Sequence, residues 1–348
     1  MQILILGASY GSLLASKCLM AGHNVTLVCR TSTAKIINAL GTNVEIRLKG
    51  QDQHRNFASN DLPGRLFACT PDQVDPSQYD FAVLAMQEPQ YSNQSIWRLL
   101  ISIAKLDIPC LSLMNMPPLA YLKRIPGIDA SAVESAFTNE RVWDEFKPHL
   151  ISRSSPDPQA VRPAGFPPNH LLVGLATNFK AAEFGCEKAN AKLHALAKSI
   201  EEVRIIGCDI PVKLRPHTST FVPFAKWSML LTGNYRCISN GEPISICDAV
   251  HSDIETSRSV YEAVAEIVVR LGASPDDLVP FEKYAKAALC LSNPSSAARA
   301  LANGSTAIER VDQLVQTIGQ QVGVTHPEIG TTVTRVNRAL TNNTSQAA

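Results

Sequence analysis

No apolar run in this 348-residue chain approaches the roughly 18 residues that a membrane-spanning helix needs. An excess of one charge is missing too. Thirty-two Lys and Arg face 31 Asp and Glu, a formal net charge of +1, so no overall field draws in nucleic acid or an anionic membrane. No C-x-x-C pair occurs among the nine scattered cysteines, and their odd number reads as reduced thiols rather than a disulfide framework. The eight histidines form no H-E-x-x-H and no cluster at zinc spacing, so no metal site is expected. The opening Met1-Gln2-Ile3-Leu4-Ile5-Leu6-Gly7 has neither a basic region nor a cleavage site and reads as a strand, which predicts a cytoplasmic protein. With 45% hydrophobic and 18% charged residues, disordered, collagen-like and coiled-coil chains are excluded. The length suits two domains of roughly 150 residues each.

The first half alternates short apolar runs with helical patterns, the signature of a parallel sheet with crossover helices. Residues 3–6, 25–28, 81–85 and 110–114 read as strands, and His170–Leu175 and 203–206 as later strands of the same layer. The Pro-rich stretch 152–168 reads as a surface loop or hairpin connection. Past Pro211 the character changes. Helical periodicity runs over 224–231, 252–271, 281–291, 295–302 and 306–322, with Gly272, Gly304 and Gly323 where helix ends want glycine. The expected architecture is α/β plus all-α. A Rossmann-type parallel-sheet domain occupies 1–210, a helical substrate and dimerisation domain 211–338, and a fraying tail 339–348.

The binding motif is Gly7-Ala8-Ser9-Tyr10-Gly11, which follows a strand and opens a helix. In a Rossmann fold the first glycine permits the tight turn, and a later one lets backbone approach a pyrophosphate. The helix N-terminus adds free N–H groups and a positive dipole end. Ser9 stands for the middle glycine, and the spacing to Gly11 is one residue short of G-x-G-x-x-G. The alternative is a plain βαβ unit with no ligand. The next strand ends in Cys29-Arg30-Thr31-Ser32-Thr33, with no acidic residue to accept from a ribose 2′-hydroxyl. Arg30 offers a planar fork suited to a 2′-phosphate, with hydroxyls from Thr31, Ser32 and Thr33 and help from Lys35, which points to NADP(H).

These residues resemble the ketopantoate reductase (2-dehydropantoate 2-reductase) family. The glycine turn and Leu27-Val28-Cys29-Arg30 are similar to the family's opening. Met114-Asn115-Met116-Pro117-Pro118 resembles its asparagine loop beside the nicotinamide. Phe224-Ala225-Lys226-Trp227 with Asn234 resembles the segment carrying the catalytic lysine and a substrate asparagine, and Pro294-Ser295-Ser296 followed by Glu309 its late serine and glutamate. Leu230 stands where the family has a first substrate asparagine, and Gln87 where a lysine would help hold cofactor and substrate. The resemblance implies NADPH-dependent hydride transfer to a small 2-keto acid or related carbonyl compound. Lys226 and Asn115 would be catalytic, Asn234, Ser295, Ser296 and Glu309 would bind substrate, and Gly7, Ala8, Ser9, Tyr10, Gly11, Arg30, Thr31, Gln87 and Asn115 would bind cofactor. A homodimer through the helical domain is the one protein partner expected.

Bottom-up, the chemistry suits these residues. Hydride addition leaves an alkoxide, and a lysine desolvated at a domain cleft can protonate it. Asn115 and Asn234 can orient the carbonyl without a change of charge, and Ser295 or Ser296 can bind a carboxylate. Each also has a plain structural reading. Lys226 would snorkel at a helix edge, and Asn115 would shape a Pro-rich turn. Asn293-Pro294-Ser295 is a helix start with Asn as N-cap, and Thr306-Ala307-Ile308-Glu309 is a capping-box pattern. Two further readings compete with the reductase. In an opine-type dehydrogenase reducing an imine, His217 would be the acid/base, and under either scheme Arg215 would be a substrate-carboxylate ligand or an interdomain salt-bridge partner. In a non-catalytic NADP(H)-binding regulator, Gln87 and Leu230 would mark lost chemistry.

Overall fold

The computed structural model describes every residue except Ala164, Ile206, Asn240 and Ala348. Its strands in chain order are β1 (Gln2–Leu6), β2 (Asn24–Val28), β3 (Asn43–Arg47), β4 (His54–Ala58), β5 (Leu66–Cys69), β6 (Phe81–Leu84) and β7 (Cys110–Ser112). There follow β8 (Ile151–Ser155), β9 (Gln159–Val161), β10 (His170–Leu175), β11 (Phe179–Ala182), β12 (Arg204–Ile205), β13 (Cys208–Asp209) and β14 (Leu214–His217). Among the described residues an eight-stranded sheet has the order β14-β11-β8-β7-β6-β1-β2-β5. It is parallel from β5 to β8, and β11 and β14 run the other way. Covered on both faces, β1 and β6 are near-continuous apolar runs with no polar alternation, as parallel strands demand.

The helices α1 (Gly11–Met20), α2 (Thr31–Leu40), α3 (Gln94–Lys105), the short α4 (Leu119–Leu122) and α5 (Glu187–Glu202) accompany these strands. All ten residues of α1 are buried. Ile5, Leu13, Val83, Leu111, Leu193 and Leu214 belong to one core, so sheet and helices share a single hydrophobic centre. The chain divides into two compact units. The first comprises residues 1–86, 90–121 and 141–220, and the second 87–89, 122–140 and 221–348.

Three strand expectations are corrected. His170–Leu175 leaves the main layer for a second sheet, β4-β3-β10-β9. Residues 170–173 of β10 alternate between half-buried and buried, the pattern of a one-sided strand rather than of the doubly covered main sheet. The run 203–206 is too short to join either sheet, and Arg204–Ile205 folds back on Cys208–Asp209 as a hairpin, while Ile206 lies outside the described residues. Within 152–168 the hairpin exists, since β9 pairs antiparallel with β10, but the first part is a central strand. That strand, β8, reads Ile-Ser-Arg-Ser-Ser and is buried throughout. Its serine hydroxyls and Arg153 Nη2 donate to acceptors inside the fold, so these polar residues are buried in a way that a hydrophobicity reading does not see.

The second unit is built from α6 (Ala225–Met229), a π-helical turn over Leu230–Asn234, α7 (Ile246–His251), α8 (Ile254–Arg270), α9 (Phe281–Ala288), α10 (Ser296–Ala302), α11 (Val311–Gln321) and α12 (Pro327–Ala347). The stretch expected to fray after Asn337 continues as helix through Ala347. Its later half has no buried apolar face, but the Asn343 amide donates to the carbonyls of Leu301 at 2.8 Å and Ser305 at 2.9 Å. Among the described residues, no helix is long and apolar enough to cross a membrane.

Candidate active site

Gly7 sits between β1 and α1 at φ +111°, a conformation that side-chain-bearing residues rarely adopt. A Cβ there would lie 2.7 Å from the Ala85 carbonyl oxygen and 2.8 Å from Met86 Cγ, just beyond the end of β6. At Gly11 a Cβ would come within 2.8 Å of Ile5 Cγ2, so this glycine lets α1 pack hard on β1. Gly11 therefore performs the helix–strand packing duty of the motif's last glycine, one residue early. The Ser12 hydroxyl closes the turn by donating to the Ala8 carbonyl at 2.6 Å, and no acidic residue stands in the first turn of α1. Ser9 is exposed. The Tyr10 hydroxyl donates to the Pro158 carbonyl at 2.7 Å, and its ring meets Phe179 edge-on, so its side chain fixes the turn from behind. Burial, with Asp157 nearby, holds that hydroxyl's pKa well above its ordinary value.

Arg30, exposed, caps the start of α2, whose first turn again contains no acid. Thr31 and Ser32 are exposed beside it, whereas Thr33 is buried. A second cation was not legible in sequence. Arg162, directly after β9, has its pKa lowered by desolvation and then by the nearby Arg30 charge, and both guanidiniums act on the Cys29 thiol. Two like charges brought near each other, Arg30 past β2 and Arg162 past β9, form a place for an anion. Only the pairing of β9 with β10 reveals it.

Asn115 follows β7, and it is the one residue between 111 and 122 that is not buried. Its backbone carbonyl accepts from Arg153 Nη2 at 2.7 Å. Arg153 is fully buried on β8, in register with Ser112. A charged side chain committed to the heart of the sheet thus fixes the loop that carries Asn115. Gly7, Arg30 and Asn115 all lie past the carboxyl ends of parallel strands, the edge at which open α/β sheets bind ligands.

In the second unit, residues 222–235 are buried except Lys226, Met229 and Asn234. In an ideal α-helix eight residues overshoot two turns by about 80°, which would leave Lys226 and Asn234 pointing apart. The π turn removes much of that offset because it winds less per residue. Its mark is the Tyr235 amide bonding five residues back to the Leu230 carbonyl at 2.9 Å. The Met229 carbonyl, at the start of the turn, accepts from the Tyr284 hydroxyl at 3.1 Å. Tyr284 comes this close because position 233 is glycine, where a Cβ would collide with its hydroxyl oxygen.

The other late residues join this segment. Ser295 is the N-cap of α10, accepting from the Ala298 amide at 3.1 Å, and its hydroxyl donates to the Asn234 carbonyl at 2.6 Å. The cap therefore falls two residues after Asn293, while Ser296 is exposed in the first turn. The Tyr235 hydroxyl donates to the Glu309 carbonyl and accepts from the Val311 amide. The expected capping box at Thr306 is absent among the described residues, since α11 starts only at Val311. Glu309 Oε1 accepts a long hydrogen bond, 3.4 Å, from the Glu88 amide, which brings the exposed Gln87 one residue away. Glu88, unremarked in sequence, is 2% exposed and its carboxylate accepts from the Thr138 amide at 3.0 Å and hydroxyl at 2.8 Å. Burial raises its pKa against the pull of those bonds. Gln87, Lys226, Asn234, Ser295 and Glu309 thus belong to one connected structure. By contrast, Arg215 pairs with Glu201 at 2.9 Å inside the first unit, and the backbone carbonyl of His217 at the end of β14 accepts from the Glu183 amide. Among the described residues no group of three or more His, Cys, Asp and Glu can hold a metal ion.

A Rossmann-type α/β unit followed by a helical unit is the class that these elements define. No family model matches the sequence, and no curated protein is detectably similar to it. Solved structures are. The 2-dehydropantoate 2-reductase from Methylococcus capsulatus matches with a TM-score of 0.68 over 99% of this chain and 98% of its own, at 14% identity. A ketopantoate reductase from Ralstonia eutropha JMP134 gives a TM-score of 0.64 over 99% and 100% of the two chains at 17% identity. D-Mandelate dehydrogenase, solved with NADH and anilino(oxo)acetate, gives 0.67 over 99% of each at 15% identity. The chain has the ketopantoate reductase fold, in a sequence far diverged from those structures.

Proposed function

We propose that this protein is an NADPH-dependent oxidoreductase of the ketopantoate reductase type that reduces the carbonyl of a small 2-keto acid. The observation that carries the proposal is the Gly7 turn, where a Cβ would fall 2.7 Å from the Ala85 carbonyl oxygen at the mouth of an uncapped helix. Such a turn fits a dinucleotide pyrophosphate. The backbone of Gly7, Ala8, Ser9, Tyr10 and Gly11 would hold that group. Arg30 and Thr31, with Arg162, would hold a 2′-phosphate, and Gln87 and Asn115 the nicotinamide half. When bound, a reduced nicotinamide supplies a hydride to the carbonyl carbon.

The chain's own residues do the rest. Lys226 gives its ammonium proton to the alkoxide oxygen, Asn115 and Asn234 orient the carbonyl and its neighbour, and Ser296 and Glu309 bind the substrate's polar end. Ser295 acts through Asn234, whose carbonyl its hydroxyl holds. The test is incubation of the purified protein with NADPH and a panel of 2-keto acids, with and without amines. Turnover of the keto acid alone is expected. Strict dependence on an amine would instead support imine reduction, and tight NADPH binding without any turnover a regulator.

A further inference from the structure

We propose that Met229 is a substrate-specificity residue, and that the substrate is a 2-keto acid whose side chain is aliphatic or aromatic and carries no hydroxyl near the carbonyl. The inference rests on the reductase reading above and narrows its substrate.

Along 222–235 the chain is buried on every side except at three residues, Lys226, Met229 and Asn234. Two of these carry the polar chemistry assigned above, a proton donor and an orienting amide. The third is apolar. Leu230, at the position where the resemblance would place a polar substrate contact, is 2% exposed and turned into the core. It is therefore no substitute contact, and the residue left on the open stripe is its neighbour. The backbone at Met229 is held in place. The π turn begins immediately after Met229, whose carbonyl is fixed by the Tyr284 hydroxyl at 3.1 Å. Tyr284 is itself stacked on Tyr261, with ring centroids 5.4 Å apart.

The thioether of Met229, which is open along the same stretch as Lys226 and Asn234, has no strong hydrogen bond to offer a substrate hydroxyl. A substrate hydroxyl placed there would lose its water and gain little, whereas an alkyl or aryl group would be released from water. Methionine also adapts to irregular apolar shapes, so the preference is for apolar character rather than for one side-chain length.

The experiment compares kcat/KM for 2-keto acids with alkyl or aryl side chains against hydroxylated counterparts of equal size, in wild type and in Met229→Gln. Calorimetric binding of the matching 2-hydroxy acids and of NADPH accompanies the kinetics. The wild type is expected to favour the apolar acids by about 10–10²-fold, the discrimination an apolar pocket gives against an added hydroxyl. Met229→Gln should erase most of that ratio through KM and through hydroxy-acid affinity, with NADPH affinity unchanged. A ratio that survives in Met229→Gln, or a wild type that prefers the hydroxylated acids, overturns the inference while leaving the reductase reading intact. Absence of turnover with every 2-keto acid defeats the reductase reading and this inference with it.

Discussion

At the scale of single residues the two most consequential groups are cations with different work. Arg30 stands exposed at the start of α2, with Arg162 near enough to feel its charge. Arg30→Ala should weaken NADPH by about 1.5–3 kcal/mol, the worth of a charge-assisted contact, and leave NADH nearly untouched. Fluorescence titration of both cofactors checks this, and equal losses would defeat the 2′-phosphate assignment. Lys226, the proposed proton donor, is half-buried. Lys226→Ala is expected to lower kcat by about 10²–10⁴-fold with little change in NADPH affinity. Lys226→Arg should not restore activity, because guanidinium holds its proton. If His217→Ala abolishes turnover while Lys226→Ala retains it, the acid/base belongs to the imine-reducing scheme instead.

One element decides whether the second unit's polar groups act together. The π turn over Leu230–Asn234 brings Asn234 back toward the azimuth of Lys226, and Tyr284, admitted at Gly233, braces its start by donating to the Met229 carbonyl. Tyr284→Phe keeps the ring stacking but removes the hydroxyl's hydrogen bond to the Met229 carbonyl. A loss of about 0.5–1.5 kcal/mol in urea unfolding is expected. The telling readout is kinetic: kcat/KM should fall as the turn relaxes toward α-helix, while NADPH affinity stays as it was. Unchanged kcat/KM alongside the stability loss would show that the turn has only a structural role. The first unit has its counterpart in β8, whose Arg153 supports the Asn115 loop from inside the sheet.

For the molecule as a whole, a strained closing segment ties stability to pH. Val212, a β-branched residue, lies at φ +66° as the chain enters β14, a conformation costing on the order of 1–3 kcal/mol. The wholly buried Lys17 amine holds the two preceding carbonyls, Ile210 at 3.1 Å and Pro211 at 2.9 Å. Burial, then the Lys213 charge, lowers the Lys17 pKa from 10.5 to about 7, against the opposing pull of Asp209 and Glu201. Between those two values the unfolded chain binds more protons than the folded one, so stability rises with pH. Below pH 7 both states are protonated and the contribution is lost. Wild type should therefore gain about 1–2 kcal/mol over Lys17→Met between pH 7.5 and 9 in urea unfolding. Parallel pH profiles for the two proteins would refute this.

The sequence by itself determined whatever depends on local pattern. The strands β1, β2, β6 and β7, the glycine turn, the basic end of β2 and the change to helix after β14 are all written in runs of neighbouring residues. The candidate residues Lys226, Asn234 and Glu309 were also legible, each from its own short motif. What joins them was not. Glu88 reaches Glu309 across 221 residues, Tyr284 reaches Met229 across 55, and Arg153 reaches Asn115 across 38. Contacts over such separations leave no periodicity to read. Polar strand β8 escaped for a related reason: a buried serine or arginine looks like a surface residue until its partners are in place. The approach of Arg162 to Arg30 escaped because the two are far apart in sequence. Tertiary structure decided these matters because satisfying a buried polar group, or admitting a tyrosine hydroxyl at a glycine, is a property of two segments at once and is encoded in neither alone.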